Sequence, residues 1–145
     1  MQMSRLELRP ATRSGSGTRT ERHFLDYVVD GQPWAARHRL DEVTPLGWGT
    51  ADLARAAVAQ LLVEAPPDLD GRVALYVCAE CGDHLCGALT ARVSRQDDVV
   101  TWSDFADTYW ELDRWEHDPT AYVDWRAVRF SLPDYRRALA VALPG

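Results

Sequence analysis

Three stretches decide the fold: RVALYVC (residues 72–78), LCGALTARVSR (85–95) and VVTWSDF (99–105). In the first, Val73, Leu75 and Val77 alternate with their neighbours. In the second, Leu89, Ala91 and Val93 share one face. The third follows the turn pair Asp97-Asp98 and so pairs back onto the second. Strands joined by so few residues run antiparallel. The spacing therefore predicts a meander, with Trp102 and Phe105 in the core.

Working outward, Arg5–Arg9 alternates as a short strand, and His23–Val29 reads as a strand ended by Asp30-Gly31. That pair closes a hairpin onto the segment around Trp34. Between them, residues 10–21 are rich in Ser, Thr and Gly and predict a flexible loop. Thr50 reads as an N-cap, with Asp52 at the positive helix end. Leu53, Ala57 and Leu61 follow at helical spacing, and Pro66-Pro67 stops the helix after about Glu64. Arg126–Phe130 predicts a fourth strand. Ser131 and Pro133 open a last helix that turns Leu132, Tyr135 and Leu139 inward. The expectation is an α+β fold in a single domain over residues 1–145: an antiparallel sheet of four to six strands packed by two helices.

The chain has 145 residues, 46% hydrophobic and 26% charged, as a soluble globule has. Its longest apolar runs fall far short of the ~20 residues of a membrane span, so no membrane partner is expected. Met1–Glu7 has no apolar run, which predicts no secretory signal and a cytoplasmic location. The net charge of −6 offers little to phosphates, so no nucleic-acid partner is expected. All 16 cations are arginine, and Lys, Ile and Asn are absent. Those three have A/T-rich codons, so the bias marks a GC-rich gene, not an arginine site.

The sharpest local feature is CAECGDHLCG (78–87), which holds all three cysteines and one of four histidines. Three chemistries compete for it. Zinc wants four soft or borderline ligands, and Cys78, Cys81, His84 and Cys86 supply them, with His23, His38 or His117 as distant substitutes for the histidine. A Cys-x-x-Cys pair can instead cycle as dithiol and disulfide, with Cys78 and Cys81 as the redox pair. No helix is predicted to follow it, and Glu80 and Asp83 disfavour a thiolate. The third possibility is a tight turn with inert buried thiols. An odd cysteine count suits a reducing compartment.

The stretches YVCAECGD (76–83), CGALT (86–90) and VTWSDF (100–105), with VTPLGWG (43–49) upstream, resemble a family of small, uncharacterised bacterial proteins. Some of them carry an oxidoreductase label. The resemblance covers about the middle half of the chain. It implies a role for the cysteine loop and transfers no catalytic residue; His84 lies outside its pattern.

From Ala106 to Asp124 the apolar period is lost, and aromatic residues mix with acids. Asp107, Trp110, Glu111, Trp115 and Glu116 are the candidates for a surface that meets a basic protein partner, as an inhibitor or immunity protein would. The plainer reading makes the aromatics core and the acids a solvated face. Asp104, Asp107 and Glu111 form no evident acid–base pair, because no apolar pocket is predicted to separate their pKa values. No nucleophile elbow or phosphate loop is present. The leading expectation is a non-catalytic protein with a cysteine brace, zinc-bound or not, and an acidic aromatic surface. The alternative is a thiol-dependent oxidoreductase using Cys78 and Cys81.

Overall fold

The computed structural model describes residues 2–81 and 86–144. It has an α+β fold with strands in two antiparallel sheets, of three and five strands. In the smaller, β1 (Leu6–Arg13) pairs with β2 (Arg22–Val29), Leu6 opposite Val29 and Arg13 opposite Arg22. β1 runs on through Pro10–Arg13, so the loop expected over residues 10–21 begins only at Ser14. Cross-strand contact overrides the loop-like composition there, since Ala11 faces Phe24 and Thr12 Oγ1 meets His23 Nδ1 at 3.1 Å. Pro10 is tolerated because β1 is an edge strand.

Asp30 and Gly31, with φ of +52° and +83°, turn the chain into β3 (Gln32–Pro33). Trp34 then opens a short helix, α1 (Trp34–His38). The buried Asp26 carboxylate supports that helix, accepting from Ala35 N at 3.1 Å and from Tyr76 Oη at 2.6 Å. Helix α2 (Ala51–Leu61) starts at the expected cap, with Thr50 Oγ1 accepting from Leu53 N, and buries Ala54, Val58 and Leu61.

The larger sheet runs β4 (Val73–Val77), β5 (Ala88–Gln96), β6 (Val99–Glu111) and β7 (Arg114–Asp118), with β8 (Val128–Ser131) also paired to β6. Helix α3 (Leu132–Leu139) buries Leu132, Tyr135 and Leu139. Ser131 occupies its N-cap position, but the hydroxyl makes no capping bond. Among the described residues, no helix is long and apolar enough to cross a membrane.

β6 continues six residues beyond Phe105, the end expected from its pattern (111 − 105). A β-bulge is the reason. Thr90 opposes Ala106, whereas Arg92 opposes Ser103, so β6 carries one extra residue. Asp104 sits there in left-handed backbone, φ +56°. The insertion shifts the alternation by one position. Val100 and Trp102 face the core before it, and Phe105 faces the core after it. A period-2 count across that point fails although the strand is continuous.

The main core joins both sheets and all three helices through Tyr27, Trp34, Leu61, Trp102, Phe130 and Tyr135. The rings around Trp102 meet it edge to face, as ring quadrupoles prefer, while Phe130 stacks on Tyr135.

Candidate functional site

The cysteine turn follows β4. Val43 and Val77 exchange two backbone hydrogen bonds, and a small apolar cluster of Phe24, Val43, Val77, Ala79 and Ala88 seats the turn. Charged side chains from the smaller sheet then clamp it. Arg22 Nε donates to Ala79 O at 2.8 Å and Nη2 to Glu80 O at 3.3 Å, while its guanidinium lies 4.5 Å over the Trp48 ring. The Glu80 carboxylate accepts from Thr20 Oγ1 at 2.6 Å, Thr20 N at 3.0 Å and Arg13 Nη1 at 2.8 Å. Arg13 also pairs with Asp41, which accepts from Arg19 as well. Sequence reading missed this clamp, because Arg13, Thr20 and Arg22 lie about sixty residues from the turn they hold.

Thr20 and Arg13 hold the Glu80 carboxyl down at about 2, against an ordinary 4.5. Arg19 and Arg13 hold Asp41 at about 2, against 3.8. Both carboxyls are depressed in the fold. Their contribution is therefore full above the ordinary values and is lost as pH falls toward 2. The Asp26 carboxyl is pushed up by burial and has the opposite sign. A comparison with Glu80→Gln cancels the Asp26 effect. The wild type is expected to melt above Glu80→Gln at neutral pH, with the gap closing between pH 4.5 and 2. A gap that persists at pH 2 would rule out the carboxylate clamp.

Cys78 is half-buried, and Cys81 and Cys86 are exposed. Cys78 and Cys86 border a cavity of about 560 Å³ with Arg13, Glu80, Asp107 and Tyr109. His84 lies outside the described residues. Among those described, no three His, Cys, Asp or Glu side chains gather closely enough to hold a metal ion. The substitute histidines are engaged elsewhere. His23 bonds Thr12 and Glu21, His38 lies against Trp125 with ring centroids 3.9 Å apart, and His117 bonds Thr108 and Asp70.

A polar chain crosses the other face of the larger sheet. His117 Nε2 meets Asp70 Oδ2 and its Nδ1 meets Thr108 Oγ1, both at 2.8 Å. Thr108 Oγ1 meets Thr90 Oγ1 at 2.8 Å, and Thr90 Oγ1 accepts from Arg72 Nε at 2.7 Å. Arg72 also bonds the Asp104 carboxylate and carbonyl oxygen at the bulge. The order Asp–His–Thr is that of an acyl-transfer triad. Thr108 is fully buried, however, so its hydroxyl meets no substrate and serves the interior. Asp104 is tied to Arg72 and Arg92, and Asp107 accepts from Tyr122 Oη, which keeps the two acids out of one acid–base pair.

Beyond Ala88, which opposes Thr108, β5 ends while β6 and β7 continue as a two-stranded arm. Its register sorts the side chains. Asp107, Tyr109 and Glu111 of β6 face Asp118, Glu116 and Arg114 of β7. On the reverse face, Thr108 pairs with His117 and Trp110 with Trp115, whose rings meet at 5.2 Å. The turn residues Leu112 and Asp113 have φ of +51° and +60°, as a two-residue hairpin turn requires. The aromatic stretch thus divides. Trp102, Phe105 and Tyr122 are buried with Trp125 packed beside them, whereas Trp110 is 46% exposed on the arm.

No family model, curated protein or solved structure matches this chain.

Proposed function

We propose that the protein is a non-catalytic binding protein whose arm takes a basic protein partner, in the manner of an inhibitor or immunity protein. Leu112 carries the proposal. It is the most exposed large apolar side chain among the described residues, at 84%, and it sits in left-handed backbone at the arm's tip. Leucine in that conformation costs about 1–2 kcal/mol, which Asn or Gly largely avoids. Stability alone therefore disfavours Leu112, and so does solubility. Contact with a partner favours it. Glu111, Asp113 and Glu116 around it suit a cationic surface.

Leu112→Asn is expected to raise folding stability by about 1 kcal/mol in urea denaturation. The same variant should bind a short arginine-rich peptide roughly tenfold more weakly, read from tryptophan emission. Wild-type binding should fall with added salt. A variant that binds as the wild type does, or a peptide that leaves the emission unmoved, would remove the proposal.

The cysteine turn is the brace beneath the arm. Glu80 and the carbonyls of Ala79 and Glu80 tie it to Arg13, Thr20 and Arg22 without a metal, so a chelator is expected to leave the melting temperature unchanged. One zinc per chain, with a lower melt after its removal, would instead make Cys78, Cys81, His84 and Cys86 the brace. The exposure of Cys81 favours a second reading, thiol redox chemistry with Cys78. Under it, Cys78→Ser/Cys81→Ser loses an electron-transfer activity with its melt intact; under a zinc-bound brace, the melt of that variant drops.

A further inference from the structure

We infer that the cavity between α1 and the segment leading into β8 binds a free aromatic α-amino acid. The cavity shares no lining residue with the arm, so this inference stands apart from the binding proposal above.

The cavity has a volume of about 300 Å³, at the small end of ligand sites. One wall is aromatic. The His38 and Trp125 rings lie with centroids 3.9 Å apart, and both are partly exposed where they border the cavity. Buried Trp34 meets each of them edge to face, at 5.2 and 5.3 Å. Phe105 and Tyr122, also buried, pack on Trp125. The wall is therefore fixed before a ligand arrives, and a planar ring laid on it loses little beyond its own freedom. Burial and the neighbouring Arg37 hold the His38 imidazole below its ordinary pKa, so at neutral pH it serves as an uncharged ring.

Charge around that wall selects the polar end of the ligand. Arg37 and Arg126 border the cavity, and so do Asp30 and Asp124. Among the described residues, the side chains of Arg37, Arg126 and Asp124 make no hydrogen bond or ion pair, whereas most arginines of the chain are engaged. Asp30 spends only Oδ1, which accepts from Arg5 N at 2.9 Å. These cations and anions balance, so a simple anion or a simple cation gains little from the lining as a whole. A ligand carrying both an ammonium and a carboxylate finds a counter-charge for each, with a guanidinium as the fitting partner of the carboxylate. Joined to a ring for the aromatic wall, those two groups make an aromatic α-amino acid.

The test titrates the protein at neutral pH with L-phenylalanine and follows the His38 ring protons by NMR, which report on this cavity. Phenylalanine is expected to bind with a Kd of about 1 mM or lower. 3-Phenylpropionate, which lacks the ammonium, and 2-phenylethylamine, which lacks the carboxylate, should each bind roughly tenfold more weakly. Arg37→Gln/Arg126→Gln changes two exposed side chains and should melt as the wild type does. It should weaken phenylalanine roughly tenfold while holding 2-phenylethylamine at least as well as the wild type. Asp124→Asn should weaken phenylalanine and spare 3-phenylpropionate.

If phenylalanine leaves the His38 protons unmoved, or the double arginine variant binds it as the wild type does, the assignment is wrong. If 3-phenylpropionate or 2-phenylethylamine matches phenylalanine, the cavity takes rings without regard to charge, and the amino-acid assignment fails.

Discussion

Trp102→Ala is expected to remove about 3–5 kcal/mol of folding stability, a large part of the roughly 5–15 kcal/mol typical of a domain. Trp102 is fully buried. Its ring meets Tyr27, Trp34 and Phe130 edge to face, with centroids 5.1, 5.3 and 5.0 Å away. Those three come from β2, α1 and β8, so truncation opens a cavity where both sheets and a helix meet. A hydrogen-bonded chain adds to the packing. Trp102 Nε1 donates to Tyr135 Oη at 3.0 Å, which donates to Leu61 O at 2.7 Å, tying β6 to α3 and α2. Urea denaturation checks the prediction through its midpoint. A loss under about 1 kcal/mol would mean that the core closes over the gap.

The second large effect is expected at the bulge. Arg72 is buried, with a side chain 3% exposed, and Asp104 supplies its counter-charge at 3.1 Å. Asp104→Ala removes that charge and is expected to cost about 3 kcal/mol, because a buried cation left unpaired is expensive. Arg92 loses the same partner but is 59% exposed and contributes little. The informative variant is the double one. Arg72→Met in the Asp104→Ala background removes the orphaned charge and fills its space, so Arg72→Met/Asp104→Ala should be more stable than Asp104→Ala alone. If the double variant is the weaker of the two, Arg72 acts mainly through Thr90 and not through the ion pair.

Local signals in the chain carried the meander, the capped helix at Thr50, the amphipathic C-terminal helix and the assignment of Trp102 and Phe105 to the core. Each rests on neighbours within a few residues. What escaped depends on distance or on a shift in phase. Pro10–Arg13 became strand only because Leu25, Phe24 and His23 lie opposite. The arm looks patternless in the sequence because Asp104 inserts a residue where the alternation would otherwise continue. The clamp on Glu80 and the buried Arg72 chain join segments that no short window contains. Composition marks Asp107, Trp110, Glu111, Trp115 and Glu116 as surface candidates, yet their division between two faces follows only from the pairing register.

β6 spans 13 residues, about 40 Å of continuous backbone, from the aromatic interior to the base of the Leu112 turn. No linker interrupts it, and its bulge is locked by Arg72. The projecting end is thus set in place once the interior has folded. A molecule docking there meets a preorganised rod, and little conformational entropy is forfeited on association.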